Sequence, residues 1–184
     1  MIEVTKTAID GVLLIKPRVF ADARGYFFET FSQRDFASET GLDIKFVQDN
    51  ESASTKGVAR GLHFQKGDKS QSKLVRCVRG SVLDIALDLR GGSPTYGRYV
   101  TAELSQENKM QFFVPKGFAH GFVVLSDYAV FQYKCDEFYA PESDGGIQML
   151  DPALGLELPV EAASLIRSPK DIALPRLQDC MIKF

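Results

Sequence analysis

The stretch from Arg60 to Lys73 holds the side chains best suited to proton transfer. His63, one of only two histidines in the chain of 184 residues, lies there between two cations and two strand-like apolar runs. The unperturbed pKa of histidine is the nearest to neutrality, so an imidazole set among cations is a candidate general base beside an anion site. A hydrogen-bonded histidine of the core explains the same residue, and this stretch alone does not separate the two.

The second histidine ends the segment Pro115-Lys-Gly-Phe-Ala-His120, which resembles the second motif of cupin barrels. The histidine of that motif is usually a metal ligand, together with a His-x-His pair and a glutamate. Here Gly61-Leu-His63-Phe-Gln65 supplies one histidine and a glutamine. Two histidines exclude a three-histidine site, and a structural zinc ion needs four N or S ligands. We therefore expect no bound metal, with His120 as a polar group of a cavity wall, an orienting group or a structural residue.

Two further features could serve a reaction on a charged substrate. Tyr133 shares a strand face with Phe131, and inside a barrel its hydroxyl must find a partner or act as a proton donor. Arg24, Arg60 and Lys73 could together neutralise a diphosphate, since guanidinium groups bind phosphate oxygens bidentately. Taken singly, the tyrosine also fits an ordinary core and the cations an ordinary surface.

Many short strands with turn signals between them must position these residues. The pattern predicts a strand over residues 11–16, then strands at 58–65, 73–79, 82–89, 97–104, 110–114, 119–125 and 128–135. A short helix is predicted over residues 33–40, with Ser32 as its N-cap and Gly41 as its stop. From Pro141 onward the chain should be irregular, with a helical turn near Leu165 or after Pro169. This arrangement favours an antiparallel sandwich or barrel with a few short peripheral helices.

Three local patterns make sharper predictions. Along residues 82–89, leucine and isoleucine alternate with Asp84, Ala86 and Asp88, so the aspartate face should meet water or a polar cavity. Residues 24–31 should form a strand with large apolar groups on both faces, covered by a neighbouring subunit or between two sheets. Arg60 and His63 point to opposite faces of a regular strand, so a shared cavity requires a bulge near residues 60–62, which Gly61 would tolerate.

The length, charge and composition of the chain limit the class of protein. A length of 184 residues fits one domain, residues 1–184, and the net charge of −2 argues against a dedicated nucleic-acid binder. No apolar run approaches the roughly 20 residues that a membrane span needs. The three cysteines lack metal-ligand spacing, and the N-terminus has no signal-peptide pattern. A cytoplasmic protein that binds neither nucleic acid nor membrane is expected.

Taken together, the motifs resemble those of the dTDP-4-dehydrorhamnose 3,5-epimerase family, a cupin-type family of nucleotide-sugar enzymes. The similar segments follow the family's order: Pro17–Phe20, Arg24–Glu29, Phe46–Asn50, Arg60–Gln65, Lys73–Arg76, Phe113–Phe122, Phe131–Lys134, Pro141–Asp144 and Ser168–Asp171. The resemblance implies a jelly-roll β-barrel without metal or cofactor.

The resemblance also implies roles for individual residues. His63 would be the base, Asp171 would orient it, Tyr133 would deliver a proton from the other side, and Lys73 would stabilise the enolate oxygen. The implied substrate contacts are Gln48, Asn50, Arg60, His120, Asp144 and Lys170. Arg24, Phe27 and Glu29 would reach the site of a neighbouring subunit, which implies a homodimer with strand exchange.

The implied activity is the epimerisation of dTDP-4-dehydro-6-deoxy-D-glucose at C3 and C5, a step of dTDP-rhamnose biosynthesis. Two alternatives stay open. A related cupin could act at one centre only, as a 3- or 5-epimerase, or could isomerise the keto sugar. A non-catalytic barrel that binds sugar nucleotides would instead keep His63 and Tyr133 away from the cavity.

Overall fold

Two large antiparallel sheets and one small hairpin make up the computed structural model, which describes residues 2–180, 182 and 184. The six-stranded sheet runs, in spatial order, β1 (Ile2–Lys6), β2 (Leu13–Pro17), β10 (Gln111–Val114), β7 (Lys73–Arg79), β12 (Tyr128–Cys135) and β5 (Gln48–Thr55). The five-stranded sheet runs β13 (Asp144–Gly146), β6 (Ala59–Gln65), β11 (Phe118–Val124), β8 (Ser81–Asp88) and β9 (Tyr99–Ser105). The hairpin pairs β3 (Phe20–Asp22) with β4 (Gly25–Phe27).

The two large sheets face each other across an apolar core. Val75 and Phe131 from the six-stranded sheet pack in one buried cluster with Val82 and Phe122 from the five-stranded sheet. The rings of Phe122 and Phe131 stack with their centroids 4.3 Å apart. Their contact joins the two sheets directly within this core. The predicted antiparallel sandwich or barrel is thereby confirmed.

Helix α1 (Gln33–Thr40) covers the outer face of the six-stranded sheet. The Ser32 hydroxyl accepts a hydrogen bond from the backbone N–H of Asp35, and Gly41 ends the helix in the left-handed conformation at φ 73°. Both ends are as predicted, because Ser is a good N-cap and Gly adopts a positive φ at no steric cost. Phe36 is the buried residue of the helix and packs edge-on against Phe113 of β10.

The C-terminal third of the chain covers the outer face of the five-stranded sheet. Leu87 of β8 belongs to a buried cluster against which Leu156, Leu165 and Phe184 pack. This segment contains the short helix α2 (Pro169–Ile172) and 3₁₀ turns, so the predicted irregular tail with a helical turn after Pro169 is confirmed. The 3₁₀ turns of the chain are Gly67–Lys69, Pro141–Ser143, Pro152–Leu154, Ala162–Ser164 and Leu177–Asp179. None of the helices in the described residues is long and apolar enough to cross a membrane.

The prediction of a strand over residues 24–31 is wrong in its extent. Only Gly25–Phe27 is a strand, paired with Phe20–Asp22, and Tyr26 and Phe27 are 60% and 68% exposed. The predicted cover on both faces is also absent within residues 2–180, 182 and 184, where Tyr26 and Phe27 stay exposed. Strands β1, β3, β5 and β13 were not predicted, because β5 is polar and the other three have five residues or fewer.

The predicted irregularity at Gly61 is confirmed. In the pairing with β11, His63 lies opposite His120, and Arg60 lies opposite Phe122. Between these two pairs β6 therefore contains one residue more than β11, which is a β-bulge. Gly61 has φ 107°, a conformation that side chains with a Cβ rarely adopt. The extra residue turns Arg60 and His63 to the same face, toward the space between the sheets.

Candidate active site

His63 and Asp171 form a close pair at the polar end of the barrel. The Nε2 atom of His63 lies 2.5 Å from Oδ1 of Asp171, and the two side chains are 30% and 5% exposed. Burial lowers the pKa of His63 below its usual range, and the charge of Asp171 opposes that shift. The imidazole is therefore mainly neutral at pH 7, held in orientation by the carboxylate, and its Nδ1 remains available for a substrate proton.

The element that carries Asp171 is fastened to the strand that carries His63. The backbone N–H of Ala59 donates to the carbonyl of Ile166, and the N–H of Ile166 donates to Gly57, at 2.9 Å each. Helix α2 follows at once, with Ser168 as its N-cap and Pro169 in its first turn, where a missing N–H costs nothing. Asp171 consequently lies beside β6 although 108 residues separate it from His63.

Tyr133 and Lys73 approach the same space from the opposite sheet. Tyr133 lies on β12, and burial raises the pKa of its hydroxyl, so the phenol keeps its proton. Lys73 begins β7, and its Nζ lies 6.0 Å from the centre of the Tyr133 ring. In the described part of the chain, neither the Tyr133 hydroxyl nor Lys73 Nζ has a hydrogen-bond partner. Burial lowers the pKa of Lys73, while the carboxylates of Asp84 and Asp144 oppose that shift.

His120 belongs to a second, deeper histidine–carboxylate pair. Its Nε2 lies 2.8 Å from Oδ1 of Asp84, and both side chains are buried. Asp84 comes from β8, so the predicted polar face of that strand does meet the cavity wall at this residue. Burial raises the pKa of Asp84, and the interaction with His120 opposes that shift. His120 is thereby placed as a wall residue with a fixed ring orientation.

Two adjoining cavities, together called the cleft, collect most of the predicted site residues. The main cavity has a volume of about 480 Å³ and the side cavity about 340 Å³, and His63, Lys73, Tyr133 and Lys170 line both. Ten of the thirteen predicted residues line the cleft: His63, Lys73, Tyr133, Asp171, Arg60, His120 and Lys170 around the main cavity, with Gln48, Asn50 and Asp144 added by the side cavity.

Several of these polar residues are held by neighbours inside the cleft. The Gln48 amide donates to Asn50 at 2.9 Å, and Lys170 forms an ion pair with Asp144. Arg60 donates from Nε to the hydroxyl of Ser54 at 3.1 Å. The polar wall is thus largely pre-organised by contacts within the chain.

The remaining three predicted residues do not join the cleft in this chain. Arg24 is 90% exposed at its side chain and pairs with Asp22 of the same hairpin. Phe27 and Glu29 line a separate small hollow beside α1. Among the described residues, these three line neither cavity of the cleft.

Sequence reasoning missed two residues of the site. Asp84 was noted only for its strand face, although an aspartate alternating with leucines on a buried strand signals a polar partner inside the barrel. Ser168 was noted only within a motif, although Ser-Pro-x-Asp is a sequence that starts a helix and brings the acid back to the serine.

The donor set does not suit a metal. Each histidine uses Nε2 for a single carboxylate, and no group of three or more His, Cys, Asp or Glu residues in the described ranges could hold an ion. A catalytic zinc site would need three protein ligands on one ion.

A cupin-type barrel that presents an oriented His–Asp pair to a partly buried lysine and a protonated phenol has the architecture of an acid–base enzyme. The chain belongs to the dTDP-4-dehydrorhamnose 3,5-epimerase family, whose family model matches residues 6–179. The family and the isomerase class predicted from the motifs are therefore confirmed.

Individual relatives are similar over almost the whole chain. The dTDP-4-dehydrorhamnose 3,5-epimerase of Salmonella typhimurium is 50% identical over 182 residues, which cover 99% of each chain. The crystal structure of the same enzyme from Elizabethkingia anophelis superposes with a TM-score of 0.92 at 49% identity, covering 97% of each chain. The dTDP-6-deoxy-D-glucose-3,5-epimerase of Legionella pneumophila, in complex with dTDP-4-keto-L-rhamnose, has a TM-score of 0.93 at 46% identity, covering 97% of this chain and 94% of that one.

Proposed function

We propose that this protein, as one cupin-type domain, converts dTDP-4-dehydro-6-deoxy-D-glucose to dTDP-4-dehydro-L-rhamnose by inverting C3 and C5. The observation that carries the proposal is the placement of His63 and Tyr133 on opposite sheets of one cavity. Inversion requires proton removal on one face of the sugar and delivery on the other, so a base and an acid must face each other across the ring.

The reaction uses the acidity of carbons next to a ketone. His63 takes the proton from C3 or C5, and the bonding electrons move to the C4 oxygen as an enolate. Asp171 stabilises the imidazolium that forms, as carboxylates do in other oriented His–Asp pairs. The enolate then recovers its carbonyl as carbon takes a proton from the Tyr133 hydroxyl, and solvent restores both groups. Substrate and product differ only in configuration, so no redox partner is consumed.

Lys73 is suited to the charge that develops at the C4 oxygen. Its ammonium group has no hydrogen-bond partner among the described residues and lies over the Tyr133 ring, beside the phenol that would reprotonate the carbon. A fixed cation in a site removed from water stabilises an oxyanion strongly, and such electrostatic help is often the largest single contribution to catalysis.

The nucleotide and the diphosphate of the substrate would occupy the remaining space of the cleft. The structure of the Legionella relative holds dTDP-4-keto-L-rhamnose, which supports a dTDP-sugar as the ligand of this cleft. Arg60, which lines the main cavity, would bind the diphosphate, because guanidinium groups bind phosphate oxygens bidentately. Gln48, Asn50, His120, Asp144 and Lys170 supply the polar wall around the sugar and its nucleotide.

A homodimer would complete the site. The exposed hairpin β3–β4 and its following residues carry Arg24, Phe27 and Glu29 away from the cleft of their own chain. Exchange of this hairpin between two copies would bury its aromatic side chains and bring one more arginine and an aromatic ring to each cleft. The protein would act in the cytoplasm, where a nucleotide-sugar substrate is available.

Deuterium incorporation tests the function directly. The purified protein is incubated with dTDP-4-keto-6-deoxyglucose in deuterated water, and label at each carbon is read by NMR. Label at both C3 and C5, with formation of the L-rhamno product, is expected. Label at one carbon would show a one-centre epimerase instead, and binding without any label would show a non-catalytic sugar-nucleotide barrel.

A further inference from the structure

Ser168 makes two hydrogen bonds to the same residue, Asp171. The backbone N–H of Asp171 donates to Oγ of Ser168 at 3.1 Å, and the Ser168 hydroxyl donates to Oδ2 of Asp171 at 2.9 Å. A serine hydroxyl has a single proton, so accepting from the backbone N–H directs that proton toward the carboxylate. The other carboxylate oxygen, Oδ1, contacts His63 at 2.5 Å.

We propose that Ser168 is a positioning residue of the acid–base site, which fixes the Asp171 carboxylate and through it the imidazole of His63. The proposal rests on the proposed function, in which His63 is the base. Asp171 is buried, and its two carboxylate oxygens are divided between Ser168 and His63. The hydroxyl therefore sets which oxygen faces the histidine and at what angle.

The surrounding backbone explains why a side chain must do this positioning. Helix α2 has only four residues, too short to hold a side chain rigidly by helical packing. Its entry is tied to β6 through Ile166, and its exit is tied by the side chain of Gln148, which donates to the carbonyl of Ile172 at 3.0 Å. Between these two ties the Asp171 side chain is held by Ser168 and His63 alone among the described residues.

Three variants separate positioning from helix capping. Ser168→Ala removes both hydrogen bonds, whereas Ser168→Thr keeps a hydroxyl that can both accept and donate. Ser32→Ala is the matched control, because Ser32 caps α1 through the backbone N–H of an aspartate three residues on and does not line the cleft. For each protein, kcat and KM for deuterium incorporation and the temperature of unfolding are measured.

We expect Ser168→Ala to lower kcat about tenfold to a hundredfold, with KM changed less than about twofold, because a small misorientation of a catalytic group costs rate more than binding. Ser168→Thr should recover most of that loss. Ser32→Ala should lower the unfolding temperature without lowering kcat. An unchanged kcat in Ser168→Ala, or a loss that threonine does not recover, would overturn the proposal.

A spectroscopic measurement tests the positioning without turnover. The proton between His63 and Asp171 should give a downfield imidazole resonance in the proton NMR spectrum, identified by its absence in His63→Asn. In Ser168→Ala this resonance should shift or broaden, and in Ser32→Ala it should stay in place. If the wild type incorporates no deuterium, the proposed function fails, and this resonance still decides the positioning: an unshifted signal in Ser168→Ala rejects it.

Discussion

At the scale of single residues, His63 and Tyr133 differ in what holds them. His63 is oriented by the Asp171 carboxylate at 2.5 Å, whereas the Tyr133 hydroxyl has no hydrogen-bond partner in the described part of the chain. The proposed base is therefore oriented before substrate binds, whereas the proposed acid would complete its hydrogen bonding only with the substrate. This difference predicts distinct consequences for the two variants.

His63→Asn should abolish deuterium incorporation at both C3 and C5, because the other histidine that lines the cleft, His120, is buried and holds its Nε2 against Asp84. The expected loss is about 10²–10⁴-fold, the usual contribution of a general base. Tyr133→Phe should retain partial exchange while forming less L-rhamno product, because abstraction survives and delivery to the opposite face does not. Equal exchange by wild type and His63→Asn would reject the assignment of the base.

The pH dependence of the rate follows from the environment of His63. The base must be neutral to accept a proton, and burial lowers its pKa below the usual 6.5, so kcat/KM should rise with pH and level off with an apparent pKa below 6.5.

Asp171→Asn removes the charge that opposes this shift in the pKa of His63. The acid limb should then move to still lower pH while the plateau falls about 10²–10⁴-fold. An acid limb that moves to higher pH in Asp171→Asn would contradict this account.

At the scale of elements, the predictable parts were those determined by local chemistry. Ser32 and Gly41 fixed the ends of α1, and the odd offset between Arg60 and His63 required a bulge in β6, both of which the structure has. The pairing of His120 with Asp84 depends on which strand lies beside β11, which is a matter of sheet order. A local pattern does not contain that information.

The bulge in β6 can be tested with Gly61→Ala. A Cβ at Gly61 would lie 2.7 Å from the backbone oxygen of His120 and 2.8 Å from Cα of Gly121, and backbone atoms cannot turn aside as a side chain can. We expect a loss of about 3 kcal/mol of unfolding free energy, measured by urea titration, together with most of the activity. Gly92→Ala is the control, since Gly92 also has a positive φ of 80° with nothing within 4 Å of the added Cβ.

The Gly92 control should cost only about 1–2 kcal/mol, the penalty of the left-handed conformation, and should leave kcat unchanged. Equal losses of stability in the two variants would show that backbone conformation alone, without the close approach of β11, makes Gly61 necessary. Full activity of a folded Gly61→Ala protein would show that the shared orientation of Arg60 and His63 does not depend on this glycine.

At the scale of the whole molecule, the hairpin β3–β4 is the part that one chain does not explain. Its aromatic residues are exposed, although Nζ of Lys109, in the loop before β10, lies 4.1 Å from the centre of the Tyr26 ring. The sequence predicted apolar groups on both faces of this segment but could not say which molecule covers them. Whether the same chain or a second copy covers these apolar groups depends on the surface of that second molecule, which the fold of one chain does not contain.

Mixing two impaired variants tests the proposed homodimer and its shared site. Arg24→Ala should weaken each cleft through the partner's hairpin, and His63→Asn should inactivate the cleft of its own chain. When the two variants are co-expressed at equal levels, half of the dimers are mixed and each has one intact site, so about a quarter of the wild-type activity should return. A mixture no more active than Arg24→Ala diluted twofold would show that each chain uses its own Arg24.

The stack of Phe122 on Phe131 has a consequence for the fidelity of the product. The proposed base, His63, is carried by the five-stranded sheet and the proposed acid, Tyr133, by the six-stranded sheet, and the two rings, 4.3 Å apart, pack between these sheets. A looser core would leave proton abstraction intact, because His63 and Asp171 move together, yet it would let the intermediate take its proton back on the face it came from. Looser core packing would then increase the fraction of substrate that is recovered with deuterium but with its original configuration.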